Sequence, residues 1–247
     1  MSGFWIALGA LAGLIAGSFL ATLMLRWPDG RTLGGRSACD GCGQSLSAIE
    51  LVPLLSYAMQ HGRCRQCGIT IDSTHPLMEL TCAITGGAAL SLSPTPGAWI
   101  AAGAAWLLIA LAMLDLRHFW LPDRLTIGLA LVAGGGGMVL AIPPAPVERI
   151  IGGAVGFLSL ALVARGYRKL RGREGLGGGD PKLFGAIGLW LGWQALPPVL
   201  LAATMLALLA VGLLALRGGT IHATLRVPLG AALAVAAIGY WLVSRAV

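Results

Sequence analysis

Only ten of the 247 residues are Asp or Glu, so the position of each is informative. Asp115, in Ala112-Met-Leu-Asp115-Leu-Arg-His118, closes one apolar run, and Asp180, in Gly177-Gly-Gly-Asp180-Pro-Lys182, opens another. Two carboxylates brought together in a partly desolvated site cannot both ionise easily. One then keeps a proton while the other acts as a base toward water. The triplet ahead of Asp180 lets the backbone, at Gly177 and Gly179 above all, approach a partner closely. Helix capping competes with this reading. Asp180 precedes Pro181, which suits an N-cap with proline at the first helical position. Asp115 sits at the C-terminal end of its run, where the helix dipole disfavours negative charge, so capping does not account for it. Asp123 follows Pro122 and precedes a further apolar run, and it is expected to cap.

A second set of residues is suited to metal. Cys39-Asp-Gly-Cys42 and Cys64-Arg-Gln-Cys67 are two C-x-x-C knuckles separated by 21 residues. That spacing matches a four-thiolate zinc ribbon, in which each short loop aims two sulfurs at one tetrahedral ion. Gly41 or Gly43, and Gly68, supply the tight backbone such loops need. The surrounding connector has few large apolar residues, so a metal would supply stability it otherwise lacks. A redox pair or disulfides would use the same residues; a reducing cytosol disfavours structural disulfides. Cys82 falls within an apolar run and reads as a small packing hydrophobe. Glu79 opens that run and is costly there unless paired. An arginine of the cysteine connector is one possible partner, and a base in a second reaction is another possible role, which Glu50 could also fill. Glu50 and Glu174, like Asp29, Asp40 and Asp72, fall in connectors and read as solvated or turn residues.

The elements that must position these groups are membrane helices. Hydrophobic residues make up 57% of the chain and charged ones 11%, with a mean hydropathy of +0.82. Soluble domains carry roughly 25% charged residues, so this composition belongs in a bilayer. Eight segments approach the span requirement of about 20 apolar residues: 3–25, 77–93, 98–114, 125–142, 150–164, 183–195, 196–216 and 228–244. They are apolar all round, which excludes a large soluble helical core. The first run lacks the preceding basic residues of a secretory signal and is too long for one, so it is expected to be a retained span. With the N-terminus outside, connectors 26–76, 115–124, 165–182 and 217–227 lie in the cytosol and hold 15 of the 17 Lys and Arg. The positive-inside rule asks for that asymmetry. Asp115 and Asp180 then meet the cytosol at similar depth. The expectation is an all-α, polytopic single membrane domain over 1–247, with about eight transmembrane helices. A small cytosolic zinc-ribbon-like module at 26–76 lies between the first and second.

The net charge of +7 is spread over short connectors with no nucleic-acid-binding motif beside it, so a nucleic-acid partner is not expected; anionic lipid headgroups are. A transporter would also place acids in spans, but usually near the midplane and with internal repeats, which are absent here. A zinc-stabilised scaffold, with both Asp as caps, is a third class. The run Gly134–Gly137 and the set Gly152, Gly153 and Gly156 are read as helix packing.

Gly-x-Gly-Asp at 177–180 resembles the signature of the GxGD intramembrane aspartic proteases. The wider set resembles the prepilin peptidases, or type IV leader peptidases: GSFL at 17–20, Arg26-Trp-Pro28, both cysteine pairs, Pro53-Leu-Leu-Ser-Tyr57 and His75-Pro-Leu-Met-Glu79. It continues through Asp115-x-x-His118-x-x-x-Pro122-Asp123, Gly177-x-Gly-Asp180-Pro-Lys-Leu-Phe184 and Val227-Pro-Leu-Gly230, in the family's order over nearly the whole chain. Ala21 stands where the family usually has Asn, and the first connector is shorter than in many members. The resemblance implies a multi-pass enzyme of the bacterial inner membrane, its site facing the cytosol. It would cut the leader of type IV prepilins or type II secretion pseudopilins after a glycine, with Asp115 and Asp180 as the catalytic pair. Members with a cysteine connector also methylate the new N-terminus, using S-adenosylmethionine.

Overall fold

The structure, a computed structural model, describes residues 2–217 and 226–246. The basic connector expected at 217–227 thus falls largely outside the described residues. Among those described there is no strand, and the chain forms two compact units, Met1–Pro94 and Thr95–Val247.

The first unit is built on α1 (Ser2–Arg26), a short α2 (Leu55–Met59) and α3 (Thr74–Leu92). Helices α1 and α3 pack along their length because small residues remove the spacing between backbones. A Cβ at Gly17 would lie 2.6 Å from the Met78 carbonyl oxygen, and one at Gly13 would overlap the Cys82 backbone. Cys82 is fully buried at this seam, the packing role its sequence position suggested. Asp72 accepts the Thr74 N–H at 2.7 Å and its hydroxyl at 2.6 Å, fixing the start of α3.

The second unit contains α4 (Pro96–His118) and α5 (Asp123–Leu129), which runs through a π-helical stretch, Ala130–Gly135, into α6 (Gly136–Val139). Then follow α7 (Pro146–Arg171), α8 (Asp180–Leu191), α9 (Leu196–Leu216) and α10 (Leu229–Ala246). Each of the eight apolar segments read from the sequence coincides with one of these helical stretches. Four helices among the described residues are long and apolar enough to cross a membrane by themselves: Gly3–Arg26, Pro96–His118, Pro146–Arg171 and Trp193–Leu216. Leu229–Arg245 is a shorter apolar helix. At about 1.5 Å per residue, the 12 residues of α8 reach only about 18 Å. It is enclosed by protein, with Asp180, Leu183, Phe184, Ile187 and Trp190 all buried. Gly192, at φ +82°, ends it and a single 3-10 turn leads into α9, so the Trp193-Gln194 interruption is a real break.

The π-helical stretch has a partner. Arg149 is 2% exposed and donates to six backbone carbonyls, those of Ala133, Ile142, Pro143, Pro144, Leu189 and Trp190, at 2.9–3.3 Å. Gly137 leaves the space: a Cβ there would overlap the guanidinium. The glycine run around 134–137 therefore houses a buried cation as well as packing helices.

Candidate active site

The second unit brings both aspartates of the expected pair into its core. Asp115 lies in the last turn of α4 and is 5% exposed; Asp180 is the first residue of α8 and is 6% exposed. They interact electrostatically with each other, and each also interacts with the backbone N–H of Gly230 at the start of α10. The Ala231 N–H donates to Asp115 Oδ2 at 2.9 Å. The unfavourable end of α4 is thus answered by the positive end of α10, whose free amides face the same carboxylate. Asp180 Oδ2 accepts the Gly177 N–H at 3.1 Å, and the Asp180 N–H returns to the Gly177 carbonyl at 3.3 Å. Asp180 therefore folds back on its own glycine turn, while Gly179 is the residue at the helix cap.

Close approach is obligatory around the pair. A Cβ at Gly230 would lie 2.9 Å from Asp115 Oδ2 and 2.7 Å from Leu121 Cδ1, and one at Gly179 would lie 2.6 Å from Leu121 Cβ. Leu121 is thus a wedge between the glycine turn and the start of α10. Nothing in its residue type announces this. Gly230 belonged to a recognised motif, but its contact with two acids more than forty residues away had no local signal.

Asp123 does not cap. Pro122 occupies the N-cap position, and the Asp123 carboxylate takes Lys182 Nζ at 2.7 and 2.9 Å. The exposed pair spans α5 and α8 and has ordinary surface strength. Glu174 likewise pairs with Arg168 at 3.3 Å on the surface.

In the first unit, Cys39, Cys42, Cys64 and Cys67 bring their sulfurs within 4.8 Å of one another, with Cys39 and Cys67 3.8 Å apart. Four sulfurs about 2.3 Å from a tetrahedral zinc would stand about 3.8 Å from each other, so the cluster fits that ion. The two knuckles are built alike. Cys39 N–H donates to Gln44 O and Gly43 N–H to Cys39 O; Cys64 N–H donates to Ile69 O and Gly68 N–H to Cys64 O, all at 2.9 Å. Isolated bridges, Ala38 with Ser45 and Arg63 with Thr70, close both loops. Gly43 and Gly68 both take φ +72°, so these are the glycines the turns require. Gly41 is needed for space, since a Cβ there would lie 2.9 Å from Ile69 Cδ1. Backbone N–H groups of Cys67 and Gln66 bring the Cys64 thiol down to about 7. Cys67 has a lowering bond from the Ile69 N–H, but burial and its three sulfur neighbours push it up to about 11. The cluster thus holds a ready thiolate and resists carrying four without a cation.

Beside the cluster, and wholly within the first unit, lies a cavity of about 620 Å³. Glu79 opens onto it at 5% exposure, with Oε2 accepting the Leu54 N–H at 2.8 Å. Glu79 is therefore held by a backbone amide and not by an arginine. Glu50 accepts the Ser47 N–H at 2.9 Å and the Ser47 hydroxyl at 2.7 Å, which hold its carboxyl below the usual range. It closes a turn and is committed to it.

Two family models account for most of the chain: the bacterial peptidase A24 N-terminal domain matches residues 11–92, and the type IV leader peptidase family matches 102–213. A prepilin leader peptidase/N-methyltransferase of Aeromonas hydrophila is 39% identical, over 81% of this chain and 69% of its own length. Its namesake in Burkholderia pseudomallei (strain K96243) is 35% identical over 94% and 84%, and that of Pseudomonas aeruginosa 32% identical over 92% and 86%. The chain belongs to the type IV leader peptidase family. No solved structure matches it. The resemblance read from the motifs is thereby upheld, and the boundary between the two family models falls beside the boundary between the two compact units.

Proposed function

We propose that the chain is an aspartic endopeptidase of the bacterial inner membrane. It cuts the leader from type IV prepilins or type II secretion pseudopilins at the cytosolic face and then methylates the new N-terminus. The observation that carries the first step is the burial of Asp115 and Asp180 in interaction with each other at the start of α10. Relatives named for both activities support the pair of reactions.

Asp115 and Asp180 share one proton. The ionised member takes a proton from water as the oxygen attacks the scissile carbonyl. The protonated member hydrogen-bonds the carbonyl oxygen and then protonates the leaving amine. A pair so coupled titrates as a unit, and either member serves as base in the first turnover. The amides of Ala231 and Gly177 hold the carboxylates in place at no cost in reorganisation. Basic connectors support the cytosolic orientation.

Cys39, Cys42, Cys64 and Cys67 would hold a structural zinc, which folds their loop. S-adenosylmethionine, when bound, supplies an activated methyl group for the second reaction. The test is mass spectrometry of a prepilin-type substrate incubated with the purified protein in detergent or lipid, with and without the methyl donor. Loss of the leader mass supports the peptidase, and one added methyl supports the transferase. An uncut substrate would return the chain to a transport or scaffold role.

A further inference from the structure

Glu79 is the buried acid that peptide cleavage does not use. The residue is 5% exposed, sits one helical turn after His75 with which it interacts electrostatically, and lines the cavity of the first unit. The residue that donates to it, Leu54, has φ +59°, a conformation L side chains rarely adopt. Such backbone is strained and persists where surrounding contacts enforce it. The loop is thus bent to bring an amide to Glu79. A carboxylate taken this far from water is costly without compensation, and one neutral N–H is modest compensation.

The rest of the cavity has the composition of a small-molecule site. Its volume of about 620 Å³ falls inside the usual range of roughly 300–1,000 Å³. Phe19 and Tyr57 contribute aromatic rings, which suit a cationic ligand. Arg26, at the end of α1, contributes a guanidinium, which suits a carboxylate. A sulfonium methyl donor of the S-adenosylmethionine type carries an amino-acid carboxylate, a cationic sulfur and an apolar body. An N-terminal amine arrives as a second cation and must lose a proton before it can attack.

We infer that this cavity is the methyl-transfer site, and that Glu79 is the base that receives and deprotonates the substrate's N-terminal ammonium. The inference rests on the methylation proposed above. Glu79 takes one N–H proton and passes it to water, leaving a lone pair on nitrogen. That pair forms the N–C bond as the C–S bond of the sulfonium breaks, and the electrons of the broken bond stay on sulfur as a neutral thioether. Glu50, tied to Ser47, and Asp40, tied to Arg31 at 2.8 Å, line the same cavity with their charge already engaged.

The deciding variant is Glu79→Gln in the full-length enzyme. The glutamine carbonyl still accepts the Leu54 N–H, so the loop keeps its shape, but the side chain cannot take a proton. Leader cleavage, zinc content and binding of labelled S-adenosylhomocysteine in equilibrium dialysis should each stay within about twofold of the parent. Methyl transfer should fall about 10²-fold or more, the usual scale for losing a general base. A second variant, Ser56→Trp, fills the cavity from α2 and should weaken S-adenosylhomocysteine binding at least about tenfold, an effect that does not depend on any transfer assay. It also decides the case if Glu79→Gln fails to fold. Methylation by Glu79→Gln within about threefold of the parent overturns the role of Glu79. Undiminished ligand binding by Ser56→Trp overturns the site. A parent enzyme that cuts fully and never methylates removes the reading beneath both, and that result is distinct from either.

Discussion

The Asp115 carboxylate accepts the N–H of Ala231 at 2.9 Å, joining the last turn of α4 to the first turn of α10 across 116 residues of chain. An acid at a helix C-terminus is ordinarily disfavoured. Here it is held by the amide end of another helix, and Asp180 reaches the same place from α8, where it interacts with Asp115 and with the start of α10. Three helix ends therefore define one site, and each contributes something a helix interior cannot: an unpaired amide or a boundary carboxylate.

The pair is tested by substitution without change of volume. Asp115→Asn and Asp180→Asn should each lower leader cleavage by about 10³-fold or more, because Asn cannot exchange a proton. Membrane insertion and zinc content should not change. Asp123→Asn removes only an exposed ion pair with Lys182 and should keep activity within about threefold. Near-normal cleavage by either of the first two would remove the pair from the mechanism.

Gly230 tests the geometry as distinct from the acids. In a helix, Gly→Ala is ordinarily stabilising by up to about 1 kcal/mol. At position 230 the added methyl would meet Asp115 Oδ2 and Leu121 at under 3 Å, so the carboxylate must move. Displacement of a catalytic group by about 1 Å costs on the order of 10²-fold. Gly230→Ala should therefore retain its thermal midpoint and lose most of its kcat, read by single-turnover cleavage at saturating substrate. Full activity would mean that the pair tolerates the shift.

For the cysteine module, metal analysis of purified protein should give one zinc per chain. Cys39→Ser or Cys64→Ser should release it and speed proteolysis within 26–76, because coordination supplies the folding energy of such a loop. Cys82→Ser should leave zinc unchanged, since Cys82 is buried at the α1–α3 seam, outside the cluster. A well-folded preparation with substoichiometric zinc would count against the assignment.

Much of this architecture was legible because hydrophobic runs and knuckle spacing are local signals. The eight helical stretches fall where apolar runs stand, and the four sulfurs meet as two C-x-x-C loops require. Gly43 and Gly68 were within the reach of sequence because a tight turn announces its glycine. Asp123 was misjudged for a physical reason: Pro-Asp before a helix is a capping signal, and nothing local reveals that Lys182, 59 residues on, claims the carboxylate. Leu54, Leu121 and Gly230 matter through tertiary contacts alone. Arg149 passed as one of two basic residues outside the cytosolic set, since a sequence cannot show six carbonyls converging from three segments.

Arg149 supplies the last test. Its six acceptors are carbonyls of the π-helical stretch, the 142–144 turn and the end of α8, so one side chain ties the far end of the helix that begins at Asp180. Lys keeps the charge but offers three donors from one nitrogen, against five in a planar fork. It cannot serve all three segments, and each buried carbonyl left bare costs about 1–3 kcal/mol. Arg149→Lys should therefore lose about 3 kcal/mol, a fall of roughly 6–12 °C in the thermal midpoint measured in detergent. Arg149→Met, which leaves all six carbonyls without the guanidinium, should fall further. Cleavage well below the midpoint should survive in the lysine variant, because the pair sits at the opposite end of α8. A lysine variant as heat-stable as the parent would show that these carbonyls find other partners and that the guanidinium is no tie. One that is stable yet inactive would instead move Arg149 into the chemistry.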